Sequence, residues 1–239
     1  MFSEFLKFWD RDRSLTALLV LLAVNLLALS PASRLGYFVR PLTAISLYLL
    51  LLAGMFTMKR HSTFRIVGIG FVLLTTALRI TRGFVADYPW LHVTELVSTG
   101  VCFALILYVV SLMVYGEGPV TGHRIRGAIA LYLLIAAFFT ILYAAVEILF
   151  PGAFRFPTES GLTRSQLTDT LTYFSFVTLT TVGYGDITAV HPFARTLVMF
   201  EALIGQLYPA ILLARLVTLY QVTKRPGKGE GGGKKPSGE

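Results

Sequence analysis

The sequence predicts an all-α membrane protein with six transmembrane helices and one short re-entrant helix between the fifth and the sixth. Three observations carry that prediction. Of 239 residues, 55% are hydrophobic and 14% charged, and the mean hydropathy is +0.69, which excludes an ordinary soluble domain. Apolar stretches fall at roughly 14–30, 41–58, 64–82, 91–115, 127–150 and 193–220, each near or above the ~17–25 residues that cross a bilayer. A further apolar run, Leu167–Leu179, is too short to cross and ends in a glycine-rich word, Thr180-Thr181-Val182-Gly183-Tyr184-Gly185-Asp186.

In chain order, residues 1–12 are a charged amino-terminal segment and 13–115 a membrane domain of four helices. The first apolar run follows a charged start and ends near Ser30, Pro31 and Ala32. It lacks a clear small-x-small cleavage site and reads as a retained helix. Gly68 and Gly70 interrupt the third run, and Arg65, Arg79 and Arg82 sit at its ends. Gly116-Glu-Gly-Pro-Val-Thr-Gly122 is the strongest punctuation in the chain. It places a linker at 116–123 and a second module at 124–220. Pro151 to Arg164 reads as an irregular turret, and Ser165, Thr168 and Asp169 are possible N-caps for the short helix Leu167–Leu179. The tail at 221–239 is rich in Gly and Lys and cannot bury a core, so it is expected to be disordered.

The formal net charge of +8 comes from Lys and Arg that flank apolar runs. A soluble basic domain for nucleic acid is not present in this pattern, whereas a positive-inside bias is. With both termini cytoplasmic, Lys7, Arg11, Arg13, Lys59, Arg60, Arg65, Arg124, Arg126, Arg215 and the tail place 14 of the 21 cations inside. The glycine-rich word then lies at the outer face of a multi-pass protein of the cell membrane. Cys102 is the single cysteine, and the four histidines have no metal-ligand spacing. No nucleophile–base pair and no phosphate-binding glycine loop is found, so no cofactor and no enzymatic activity are expected.

The word at 180–186 has a physical reading of its own. In an ordinary strand, successive carbonyls alternate in direction. Alternation between right- and left-handed backbone instead turns them to one side, and Gly183 and Gly185 take positive φ at little steric cost. Val182 and Tyr184 then point away from the carbonyl side into surrounding protein, and the Thr181 hydroxyl adds one more oxygen.

On these residues the segment 124–220 resembles the tetrameric potassium channels, with their outer helix, pore helix, filter and inner helix. The resemblance implies that Thr181, Val182, Gly183, Tyr184 and Gly185 form a selectivity filter. Oxygens of Thr181, Val182, Gly183 and Tyr184 would replace the hydration shell of permeant K⁺. It assigns Asp186 to the acidic position above the filter. Gly205, 19 residues further on, takes the hinge position of the inner helix. Gln206, Pro209 and Leu213 would face the cavity or gate. Tyr173 and Phe174 stand where the family's aromatics brace the filter tyrosine, although plain packing of the pore helix also accounts for them. Glu147 is either an anchor of the outer helix to the filter loop or an interfacial residue. Val177 stands where some bacterial members place a glutamate, so gating by that group does not carry over. One pore loop cannot close a ring, so a homotetramer in membrane lipid is implied. A weakly selective cation channel and a non-conducting regulatory or scaffold subunit are the alternatives.

Three further expectations come from residue chemistry. Glu201 is an expensive carboxylate in an apolar helix, expected to hydrogen-bond within the protein, with a gating or proton-sensing role as the sharper reading. Arg215 is expected to snorkel to the cytoplasmic interface. Pro209 removes a helical hydrogen bond and predicts a bend, either a gate hinge or a fixed curve. The first four helices carry no arginine ladder: the run Leu91–Tyr115 has no Lys or Arg, so a voltage sensor is not expected. No soluble ligand-binding domain is expected either.

Overall fold

A computed structural model of the chain describes residues 11–24, 62–84, 89–116, 122–157 and 163–224. The second expected span at 41–58, the amino-terminal residues 1–10 and the tail from 225 onward lie outside the described residues. So do the first span beyond residue 24, most of the linker and residues 158–162 of the turret.

The elements are α1 (Arg11–Ala23), α2 (Ser62–Phe84), α3 (Pro89–Tyr115), α4 (Gly122–Leu149), β1 (Phe154–Arg155), α5 (Arg164–Leu179), β2 (Thr188–Ala189) and α6 (Pro192–Lys224). Among the described residues three helices are long and apolar enough to cross a membrane: Trp90–Tyr115, Arg124–Leu149 and Pro192–Arg215. Helix α2 covers the third expected span, but its apolar stretch is only Ile66–Leu78. Its threonines return their hydroxyls to the carbonyls four residues back, Thr75 to Phe71 at 2.8 Å and Thr76 to Val72 at 2.7 Å. That satisfies each hydroxyl locally in apolar surroundings.

Helix α4 is the hub, packing against α1, α3, α5 and α6. Toward α1 and α3 it buries Ala128, Leu131 and Leu134 against Leu18, Leu22, Phe103, Ile106 and Val110. Toward α5 and α6 it buries Phe139, Tyr143 and Ala144 against Phe154, Leu171, Phe174, Ile187 and Ala194. The small residues Ala128, Ala136 and Ala144 recur every eight positions on α4, which lets neighbouring helices approach closely. Helices α2 and α3 meet at a polar point, where Thr75 Oγ1 and Ser98 Oγ lie 2.7 Å apart.

Large apolar side chains remain on the outside of this bundle, among them Ile66, Leu73, Val97, Met199, Phe200 and Leu203. Such a surface is out of place in water and ordinary in lipid or between subunits. The apolar helices make this a membrane protein.

Candidate functional site

Helix α5 begins at Arg164, three residues before the expected start. The sequence signal is the pair Thr163 and Gln166, a capping-box spacing in which Gln166 Oε1 accepts the Thr163 N–H at 2.8 Å. Thr163 is the N-cap, so Ser165, Thr168 and Asp169 lie inside the helix rather than before it.

At the other end of α5 the chain leaves the helix through Thr180. The Thr180 N–H donates to Phe176 O at 3.0 Å and the Thr181 N–H to Thr178 O at 2.9 Å. Val182 and Gly183 both donate to Val177 O, at 3.0 and 3.2 Å. The amides of this stretch are therefore spent on the last carbonyls of α5, groups that a helix end leaves without intrahelical partners. Among the described residues no backbone N–H donates to a carbonyl of 181–185.

The backbone alternates as the glycines require, with φ of 57° at Gly183 and 78° at Gly185. Thr181 also has positive φ, 58°, and among the described residues it alone does so without being glycine. Positive φ at 181, 183 and 185 with ordinary backbone between them is a strict two-residue alternation. Nothing local announces the conformation of Thr181, because a β-branched residue is among the least suited to that region.

Residues 180–186 are exposed on the single chain, Val182 by 52% and Tyr184 by 71%. The surrounding protein expected around these two side chains is not provided by the described residues of their own chain. Tyr173 and Phe174 part company here. Phe174 is buried inside the chain against Tyr143 and Phe154, with ring centroids 5.4 and 5.5 Å away. Tyr173 is exposed, and its hydroxyl is within hydrogen-bonding reach of the Asp186 carboxylate.

After the loop, β2 pairs antiparallel with β1, Phe154 opposite Ala189 and Arg155 opposite Thr188. Val190 and His191 extend the clamp by donating to Ala153 O at 2.8 and 3.2 Å. The chain thus leaves α4 and enters α6 at neighbouring points, and α5 with residues 180–187 is a closed excursion between them. Glu147 fixes its entry. At the end of α4 its carboxylate accepts the Gly152 N–H at 2.9 Å and the Phe154 N–H at 3.0 Å. These two bonds tie the end of α4 to β1, the strand that pairs with β2.

Helix α6 runs unbroken from Pro192 to Lys224, with Gly205 and Pro209 inside it. One face carries Glu201, Gly205, Tyr208 and Leu212 and packs on the chain. Gln206, Pro209 and Leu213 share another face and are exposed. Gly205 abuts the end of α5, where a β-carbon would stand 1.9 Å from Leu179 O. The same carbonyl accepts the Tyr132 hydroxyl of α4 at 3.0 Å. Tyr208 donates to Ala128 O at 2.7 Å, and its ring lies 5.5 Å from that of Tyr132. Arg215 does more than reach outward. It donates to Tyr115 O at 2.9 Å and Gly116 O at 3.0 Å and sits over the Tyr115 ring. The last carbonyls of α3 are thereby capped by a cation, as a helix carboxyl end favours.

This arrangement is a short helix, a carbonyl-rich excursion exposed on one chain, and two long apolar helices that frame it. Residues 128–222 match the ion channel family. The match supports an ion channel and takes in most of α4, the excursion and nearly all of α6. A curated relative, protein LctB of Bacillus caldotenax, is 31% identical over 87 residues, which is 36% of this chain and 64% of the relative. No solved structure matches. Among the described residues no His, Cys, Asp and Glu cluster could hold a metal ion.

Proposed function

We propose that the chain is a subunit of a potassium-selective channel of the cell membrane, conducting K⁺ passively through a pore shared by four copies. The observation that carries this reading is the backbone of 181–185. Positive φ alternates there, the Val182 and Gly183 amides donate to Val177 O, and among the described residues no backbone N–H donates to the carbonyls of 181–185. A row of carbonyls facing one way is the arrangement that replaces the hydration shell of an alkali cation. In the proposal Thr181, Val182, Gly183 and Tyr184 supply the oxygens, and K⁺ moves by knock-on between their rings.

The exposure of Val182 and Tyr184 supports the shared pore. A single chain leaves these side chains bare, and fourfold repetition gives the filter a closed ring and its outward side chains a wall. Gln206, Pro209 and Leu213 then line the cavity below. In this orientation α5 is a re-entrant pore helix whose carboxyl end faces the ion, with its partial negative charge. Helices α1 to α3 belong to the six-span subunit expected from the sequence, with both termini cytoplasmic and the filter at the outer face.

Purified protein in planar bilayers, with K⁺ replaced by Na⁺ on one side, tests the proposal. A reversal potential that follows the K⁺ gradient supports it. Equal permeability to the two ions marks a weakly selective cation channel, and silence under voltage, pH and tension steps marks a non-conducting subunit.

A further inference from the structure

Glu201, Tyr143 and Ser175 meet where α6, α4 and α5 pack together, and the filter uses none of them. All three are 0% exposed. Tyr143 donates its hydroxyl to Glu201 Oε2, and Ser175 Oγ is hydrogen-bonded to Glu201 Oε1. Ser175 Oγ also lies 2.8 Å from the Ala136 carbonyl oxygen.

Two arguments fix the form of this carboxyl. The first is burial. Among the described residues no cationic side chain acts on it. From α4 it faces the neutral phenols of Tyr143 and, further off, Tyr132, and from α5 only the Ser175 hydroxyl. An ionised carboxylate taken from water without a cation is far more costly than two hydroxyl donors offset. The second is a proton count. A carbonyl only accepts, so the hydrogen between Ser175 and Ala136 belongs to Ser175, and a hydroxyl has one hydrogen to give. The hydrogen between Ser175 Oγ and Glu201 Oε1 then comes from Glu201. A protonated acid donates there and accepts from Tyr143 on its other oxygen, so every contact holds a hydrogen.

We infer that Glu201 is a neutral carboxylic acid that donates to Ser175 and so acts as a positioning residue for α5. The acid proton joins α6 to α5, and the hydroxyl hydrogens of Tyr143 and Ser175 join both to α4. The carboxyl fixes α5 laterally while Gly205, one turn later on α6, sets how closely the end of α5 approaches.

The test is infrared difference spectroscopy of full-length wild-type protein against Glu201→Gln in lipid. A protonated-carboxyl carbonyl band present in wild type, absent in the variant and constant between about pH 5 and 8 is expected. No such band, or one that titrates within that window, overturns the neutral acid. Positioning is read by amide exchange across residues 171–179. Glu201→Gln keeps a donor and an acceptor and leaves exchange unchanged, while Ser175→Ala, a small change that still folds, speeds it roughly tenfold. Wild-type exchange in Ser175→Ala, or faster exchange in an assembled Glu201→Gln, overturns the positioning role. Both readouts stand apart from the ion-replacement currents, so a failure of the channel reading is seen separately.

Discussion

Gly205 of α6 and Leu179 at the end of α5 are in backbone contact. A β-carbon at residue 205 would fall 1.9 Å from the Leu179 carbonyl oxygen and 2.7 Å from its carbonyl carbon. Neither atom belongs to a flexible side chain, so the clash cannot be relieved by a rotamer change. The glycine is required by this approach alone, whatever bending it also permits.

Gly205→Ala is therefore expected to lower stability by about 1–3 kcal/mol, with the two helices pushed apart. The thermal midpoint of the purified protein measures it. Ala210→Ser, on an exposed part of the same helix, serves as the control and should leave the midpoint in place.

Different outcomes are expected at Gly183 and Thr181 of the excursion. Gly183→Ala puts a β-carbon on a residue at φ 57° and costs about 1–2 kcal/mol. Thr181→Gly relieves a similar strain at φ 58° while adding chain entropy to the unfolded state, and the two nearly cancel to within about 1 kcal/mol. Denaturation of both variants in the same detergent shows the contrast; equal losses would contradict it.

Glu147→Gln sets an amide nitrogen against a backbone N–H. One of the two donors, Gly152 or Phe154, then loses its acceptor, at a cost of about 1–3 kcal/mol. Amide exchange at those two residues should quicken, and protection at Thr188 and Ala189, across the strand pair, should fall with it.

Arg215→Ala uncaps the carboxyl end of α3 and removes the guanidinium from the Tyr115 ring, with an expected loss of about 1 kcal/mol. Arg215→Lys keeps the charge and gives up the fork that reaches both carbonyls. A double-mutant cycle with Tyr115→Leu isolates the ring contact.

What the sequence disclosed was local. Gly183 and Gly185 announce their positive φ, and the apolar runs at 91–115, 127–150 and 193–220 match α3, α4 and α6 within a few residues because length and composition govern a span. The start of α5 was also written locally, in Thr163 and Gln166, and a capping-box search finds it. The missing parts are contacts between distant positions. Tyr132 reaches Leu179 across 47 residues, Tyr143 reaches Glu201 across 58 and Tyr208 reaches Ala128 across 80. A tyrosine in an apolar run looks the same in sequence whether its hydroxyl ends in a packed seam or at an interface. Thr181 was hidden for the opposite reason, since its own preference opposes the conformation that its neighbours impose.

The Arg215 contact joins residues 100 positions apart, the foot of the last helix and the end of α3. Separating them strips two helix-end carbonyls of their donor, so any displacement of that foot carries the cost of uncapping α3. Any change in the position of α6 thus meets a resistance that originates outside the segment 128–222. A truncated chain that begins at α4 would retain the excursion and its framing helices but lose that resistance.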